Sequence, residues 1–554
     1  MVVSIELKER REQMFPRLEG KALARLVALG QRRRVLAGEV LFEQGDRNTH
    51  FYVVLSGSLE VVRPSQTGTE EVVRVHGPGE FAGEVNVLLG RASLARGRMR
   101  EDGEVSVLDR DRLRQVVVVD SELSDILMRA FILRRVALIA QQKGDVTLVG
   151  SRHSGRTLRL REFLTRNGYP HVYLDLETEP GVQELLDRSH VGVRDIPVVI
   201  CRGETVLRNP EIPDLAETLG LRADWDERTV RDVVVVGAGP SGLATAVYAA
   251  SEGLDTLVLE AESPGGQAGC SSKIENYLGF PTGISGEALA GRAFTQAAKF
   301  GAEISVARTA AHLDCSKWPY ALAVDGGRTV CTRSVVVASG ARYRRLPLPE
   351  LERFDNNGVY YAATPVEAQL CGGEEVVVVG GGNSAGQAAV FLSQRARHVH
   401  MLVRSGGLAE SMSRYLICRI KDTPNITLRT HTELVAMEGD DHLEQVRWRA
   451  EGGEIETRPL RHVFLMTGAD PNTPWLGGCL QLDGHGFVKT GGDLTREELQ
   501  AAQWPLARAP YPLESSLRGV FAVGDIRSGS VKRVAAAVGE GSACVQLIHK
   551  ILRE

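Results

Sequence analysis

A chain of 554 residues is too long for one core, and its length alone implies about three or four domains. Its 66 basic and 70 acidic residues nearly balance, which argues against a nucleic-acid partner held by counterion release. The opening "MVVSIELKERREQMF" has no apolar core followed by small residues, and no apolar run is long enough to span a bilayer. The expectation is a soluble cytoplasmic protein with neither signal peptide nor membrane partner.

Eight cysteines stand at Cys201, Cys270, Cys315, Cys331, Cys371, Cys418, Cys479 and Cys544. No pair forms C-x-x-C, which removes the usual local redox motif and the usual zinc knuckle, and no metal site is expected. Most read as buried small hydrophobes, and in a reducing compartment they stay thiols.

Residues 1–144 read as short strands. "GEVLFEQGDRNTHFYVVLSGSLEVVR" alternates apolar and polar residues, with Gly38, Gly45 and Gly57 at turns. "GPGEFAGEVNVLLG" follows, then an amphipathic helix, "ELSDILMRAFILRRVALIAQQ". The order of glycines resembles the cyclic-nucleotide-binding domain, a jelly-roll-like β-barrel. In that family a Gly-Glu pair opens a phosphate cassette, and Gly83 and Glu84 match it. The resemblance also calls for an arginine on the cyclic phosphate, but that place holds Ser93, followed by Leu94. Arg91 and Arg96 flank it out of register. A charge-assisted hydrogen bond contributes ~1.5–3 kcal/mol, so its loss weakens binding roughly ten- to hundred-fold. A degenerate site is therefore expected, with a cyclic nucleotide kept only as a candidate ligand.

Residues 145–225 read as strand, helix, strand, helix, hairpin, helix. The order resembles thioredoxin or glutaredoxin, an α/β fold, and Pro197 in "DIPVVI" falls where that family keeps a cis-proline. After the first strand the resemblance calls for redox cysteines. This chain has Ser151, Arg152, His153 and Ser154, which implies an adaptor without disulfide chemistry.

From Arg231 a strand, a glycine-rich turn, a helix and a second strand follow in "VVVVGAGPSGLATAVYAASEGLDTLVLEAE". Gly237 allows the tight turn, Gly239 lets a pyrophosphate approach the backbone, and Gly242 lets helix and strand pack closely. Phosphate then sits on the helix N-terminus. Glu260 ends the second strand, where a carboxylate accepts from ribose hydroxyls. A second copy, "EVVVVGGGNSAGQAAVFLSQRARHVHMLVR", places Gly380, Gly382, Asn383 and Ala385 in the loop. Its second strand ends in Arg404, which leans toward NADPH over NADH because an arginine pairs with a 2′-phosphate.

Two such motifs mean two dinucleotides, in Rossmann-like folds. The pair resembles the thioredoxin reductase family over residues 230–554. "SPGGQAGCSSKIENYLGFP" looks like that family's flavin-contacting segment, with Gly265, Gly266, Gln267 and Asn276. "GVFAVGDIRSGSVKRVAAAVGEG" looks like its flavin-closing motif, with Gly524, with Asp525 on the ribityl chain and with Arg533 and Ala535 beside the ring system. The resemblance implies an FAD-binding domain over 230–353 and 467–554, an NAD(P)-binding domain over 354–466, and a homodimer. It also calls for C-A-T-C before the second loop. This chain reads A-A-T-P, so Ala362 and Pro365 replace both cysteines. The family's basic H-R-R is reduced to Val403, Arg404 and Ser405, with Arg414 as a second basic residue nearby. Cys270 follows "GGQAG" without a partner. It reads first as a packed small residue and only second as a hidden catalytic thiol.

The expectation is an NAD(P)H-dependent FAD oxidoreductase whose electrons leave directly from the flavin. Its acceptor is unassigned: a quinone, oxygen, a redox protein or a disulfide. A ferredoxin- or flavodoxin-NADP reductase shares the layout and naturally lacks C-A-T-C. A non-catalytic flavin or nucleotide sensor is the third reading.

Overall fold

Val233 to Val236 run consecutively, and so do Val376 to Val379. Unbroken β-branched runs fit strands covered on both faces. In the computed structural model all eight valines are buried, each run on a strand paired parallel to both its neighbours. The structure describes residues 10–554 other than 48, 65–69, 84, 141–143, 180, 181, 183–185, 188–190, 203, 204 and 441.

The first glycine-rich loop belongs to a seven-stranded sheet. Its order is Glu303–Val306, Thr256–Glu260, Val230–Val236, Arg328–Val337, Tyr320–Val324, Ala310–Asp314, with Val520–Ala522 added beside Arg328–Val337. The long strand Arg328–Val337 pairs antiparallel through its first half and parallel through its second. It thereby joins the nucleotide-binding strands to the antiparallel hairpin. The helix Pro240–Ser251 packs against the C-terminal helix Val534–Arg553, where a Cβ on Gly541 would lie 2.2 Å from the Ser241 carbonyl oxygen.

Two short strands, Ala341–Tyr343 and Ala469–Pro471, pair antiparallel and connect this unit to a second one. There a five-stranded, all-parallel sheet runs Val359–Tyr360, Val463–Leu465, Glu375–Val379, His398–Leu402, Ile426–Arg429. A three-stranded antiparallel sheet lies beside it.

The N-terminal barrel is two four-stranded antiparallel sheets. Phe51, Phe81 and Phe131 fill it, with ring centroids 5.1, 6.1 and 6.3 Å apart. Phe131 comes from the helix Ser121–Ala140, so the barrel closes only with that helix in place. Next comes a four-stranded sheet in the order His171–Asp175, Val146–Gly150, Val198–Cys201, Thr205–Arg208. The first pair is parallel and the others antiparallel, and the Ile196–Pro197 peptide is cis. Most of the second helix expected in this unit lies outside the described residues. Leu94 of the barrel is buried in this unit's core with Val146, Leu148, Leu160 and Phe163.

The expectation of eight thiols is corrected. Cys315 and Cys479 form a disulfide across a sequence separation of 164. Ala310–Asp314 lies against the short helix Pro474–Leu476, and no local spacing announces that proximity. The bond encloses both connecting strands and the whole five-stranded sheet. The other six cysteines are free; Cys201, Cys371 and Cys544 are buried, Cys270 and Cys331 half-buried, and Cys418 exposed. No helix among the described residues is long and apolar enough to cross a membrane.

Candidate active site

The first loop is shaped by what its glycines exclude. Gly237 has φ +105°, and a Cβ on it would stand 2.3 Å from the Ala338 carbonyl oxygen. On Gly242 a Cβ would meet the Gly237 carbonyl oxygen at 1.9 Å. Gly239 differs. Nothing in the protein lies within 4 Å of its would-be Cβ, so the space beside it is open at the N-terminus of the helix Pro240–Ser251. Unpaired N–H groups there suit a diphosphate.

Glu260 is buried at the end of its strand. Its Oε2 accepts from Ala238 N at 2.6 Å, and its Oε1 from Glu262 N and Ser263 N at 2.9 and 3.1 Å. Burial pushes this carboxyl up, against the N–H groups of Glu262 and Ala238 that favour the ionised form. The same turn carries Gly265 and Gly266, both at positive φ, and Gly265 N donates to the Ala238 carbonyl at 2.7 Å. Gln267 donates to the Ala341 carbonyl and so ties the turn to the first connecting strand. Gly524 packs on Ser241 and donates to Glu540 at 2.7 Å. Burial raises the neighbouring Asp525 carboxyl, and Lys532 opposes that. Arg533 and Ala535 stand exposed where the last helix begins, and Asn276 is exposed on its own loop. Gly237 to Gly242, Glu260, Gly265 to Gln267 and Gly524 thus converge.

The second loop repeats the pattern. Gly380 has φ +140° and would strike the Met466 carbonyl oxygen at 2.3 Å, Gly382 again faces open space, and Ala385 is buried. Asn383 accepts from Ser413 N at 2.8 Å, which places the helix carrying Arg414 beside the loop. Arg404 is exposed at its strand end.

The A-A-T-P segment is a helix start. Thr364 is the N-cap of the helix Pro365–Leu370, Pro365 occupies its first position, and Glu367 closes a capping box by accepting from Thr364 N at 2.8 Å. Pro365 thus occupies the first helical position, while the cap itself is made by Thr364 and Glu367. Glu367 is buried, and burial raises its carboxyl, with Glu162 adding to the effect. Cys270 lies in the same electrostatic cluster. Burial pushes its thiol up to about 11, and Arg166 pulls only part of the way back. At neutral pH it is a thiol, not a thiolate.

Ser151 and Ser154 are likewise spent on local structure. Ser151 donates to Glu177 at 2.8 Å and accepts from His153 N at 3.1 Å, and Ser154 caps the helix Gly155–Arg166. A cleft of about 660 Å³ separates the Arg152–His153 loop from Tyr360, Gln369 and His462 of the second nucleotide unit.

In the barrel, Gly83 has φ +136° against Phe51. Glu84 lies outside the described residues. Ser93 donates to the Ala95 carbonyl at 2.8 Å. The space bounded by Phe42, His50, Gly83, Asn86 and Ser93 measures about 20 Å³, well below the ~300 Å³ where ligand pockets begin. Arg91 is buried over the Phe294 ring, 4.9 Å from its centroid, and burial brings it down to about 9. Arg96 is paired with Glu43 and Glu70 at the surface. Neither flanking arginine is free to replace the missing one.

The pyridine nucleotide-disulphide oxidoreductase model matches residues 231–541, more than half of the chain. This chain belongs to that family. A cyclic nucleotide-binding domain model matches residues 32–120. The chain is 33% identical over 318 residues to a thioredoxin reductase of Mycolicibacterium smegmatis, covering 57% of this chain and 94% of that one. It is 30% identical over 362 residues to NADPH-dependent thioredoxin reductase 3 of Arabidopsis thaliana, covering 61% and 63%. Among solved structures, Lactococcus lactis thioredoxin reductase in its FR conformation superposes with a TM-score of 0.52 at 25% identity, over 58% of this chain and 99% of that one. The protein is therefore a thioredoxin reductase-like flavoprotein oxidoreductase module joined to a cyclic nucleotide-binding domain.

Sequence reading missed Arg166, which reaches Gly266 from the neighbouring unit, and Glu162, which pairs with it. Their only signal is a charge imbalance in the nucleotide loop itself.

The second and third glycines of the first loop separate binding from folding. Gly239 has φ −68°, open to any residue. Gly239→Ala is expected to keep stability within about 0.5 kcal/mol yet lose bound dinucleotide. Gly242→Ala is expected to lose about 1–3 kcal/mol as well, from overpacking. Thermal melts and flavin absorbance of both variants check this.

Proposed function

We propose that this protein is an NAD(P)H-dependent FAD oxidoreductase of the thioredoxin reductase kind that serves its acceptor without a redox disulfide at the family's usual place. The observation that carries the reading is the capped helix start at Thr364–Glu367, where the family keeps its cysteines. Alanine and proline have no sulfur, so Ala362 and Pro365 close that relay outright rather than slowing it. Cys270, raised by burial, offers no thiolate in compensation.

The first loop, Glu260, Gly265 to Gln267 and Asp525 fit FAD: an open space at Gly239, a carboxylate at the strand end and a second acid at the flavin-closing turn. Bound there, FAD supplies reversible two-electron chemistry between a nicotinamide and an acceptor. Gly380, Gly382, Asn383 and Ala385 would hold the nicotinamide dinucleotide, with Arg404 exposed to meet a 2′-phosphate. The parallel pair and the antiparallel additions support a thioredoxin-like fold for residues 145–225. We read it as an adaptor, because its serines serve turns and caps. The acceptor would then be a quinone, oxygen, a redox protein, or a disulfide that docks beside the flavin.

The barrel would bind cyclic AMP weakly or not at all. Its site lacks the arginine and the volume, and Leu94 is committed to the neighbouring core. Isothermal calorimetry with cyclic AMP is expected to show no sub-micromolar binding to wild type or to Ser93→Arg. Sub-micromolar binding to either would refute this.

For the catalytic reading, purified enzyme should oxidise NADPH or NADH with small quinones or dyes and should not support thioredoxin in a DTNB-coupled assay. Cys270→Ser should keep the dye rate within about twofold. Fast thioredoxin reduction that Cys270→Ser abolishes would make Cys270 the hidden thiol.

A further inference from the structure

From Asp232 to Ser272 the chain carries five acids and neither lysine nor arginine. This stretch contains the first glycine-rich loop, the strand ending in Glu260 and the Gly265–Gln267 turn. A helix N-terminus offers about half a positive charge. A dinucleotide brings a doubly charged diphosphate, and Glu260 and Glu262 already stand nearby. The local field calls for a cation from elsewhere in the chain.

The α/β unit supplies one. Arg166 ends the helix Gly155–Arg166, and its side chain is only 16% exposed. Nη2 donates to the Gly266 carbonyl at 3.2 Å, and Nη1 to Glu262 at 3.1 Å and Glu162 at 3.4 Å. Asn167 follows with a donation to the Glu262 carbonyl at 3.3 Å. Gly266 in turn abuts the diphosphate loop, since a Cβ on it would stand 3.2 Å from Gly239 Cα. The guanidinium is thus one residue removed from the open space at Gly239. A planar fork can hold a carbonyl and a carboxylate at once, whereas a lysine ammonium is a single point charge.

We propose that Arg166 is a positioning residue for the flavin, reaching across the unit boundary to fix the Glu262–Gln267 turn on the diphosphate loop and to offset its negative charge. The α/β unit, without redox cysteines, is on this view part of the FAD site. The proposal rests on the FAD reading above. Arg161, on the same helix, provides a control: it donates to Gln369 of the second nucleotide unit at 2.9 Å and so contributes to docking without touching the flavin turn.

The test uses the full chain stripped of FAD, titrated back and followed by flavin fluorescence, with the flavin midpoint potential measured on the reloaded protein. Arg166→Ala should weaken FAD binding about ten- to hundred-fold, the effect of one charge-assisted hydrogen-bonding group, and move the midpoint negative. Arg166→Lys should restore the potential and only part of the affinity. Arg161→Ala should leave affinity within about twofold of wild type, being an exposed contact. Folded Arg166→Ala with wild-type affinity and potential would overturn the role. So would Arg161→Ala as damaging as Arg166→Ala, because docking alone would then explain the loss. If Arg166→Ala fails to fold, Arg166→Lys decides, and full wild-type affinity there refutes the need for a fork. Wild type that binds no FAD would instead overturn the flavin reading itself.

Discussion

Backbone meeting backbone at Gly237 and Gly380 is the constraint on which the reductase half depends. In each loop a side chain would collide with a carbonyl oxygen of the adjoining crossover, Ala338 in one case and Met466 in the other. Each loop is therefore pressed against the point where its sheet hands the chain to the other unit. The paired strands Ala341–Tyr343 and Ala469–Pro471 run on from those same carbonyls. Nucleotide site and connection are one piece of structure, and the Cys315–Cys479 bond closes a loop around both connections.

The A-A-T-P segment is an ordered helix start: Thr364, Pro365 and Glu367 together satisfy its first turn. Ser151 and Ser154 follow the same logic in the α/β unit. In both places the side chains serve local order. In the barrel, Leu94 lies in the core of the neighbouring α/β unit and Arg91 over Phe294, so both serve contacts between units.

What the sequence disclosed was local. Glycine spacing, valine runs and the acid at the strand end are written within thirty-odd residues of one another, and each has one physical meaning in that order. What stayed hidden was long-range. The pairing of Cys315 with Cys479, the seating of Leu94 and the reach of Arg166 to Gly266 depend on how units dock, and no periodicity records docking. Asn276, like Arg533 and Ala535, is exposed on its element, and its place in the flavin site rests on resemblance alone. The absence of any base between Asp232 and Ser272 was visible from the start. Its meaning required knowing what stands opposite.

Anaerobic reductive titration of the FAD-loaded enzyme decides whether a disulfide works in series with the flavin. Without thiols at Ala362 and Pro365, full reduction should consume two electrons per FAD, with no further uptake before excess reductant accumulates. Uptake of four electrons per FAD, with two new thiols appearing on alkylation, would reveal a coupled disulfide and contradict the absence of a thiol relay.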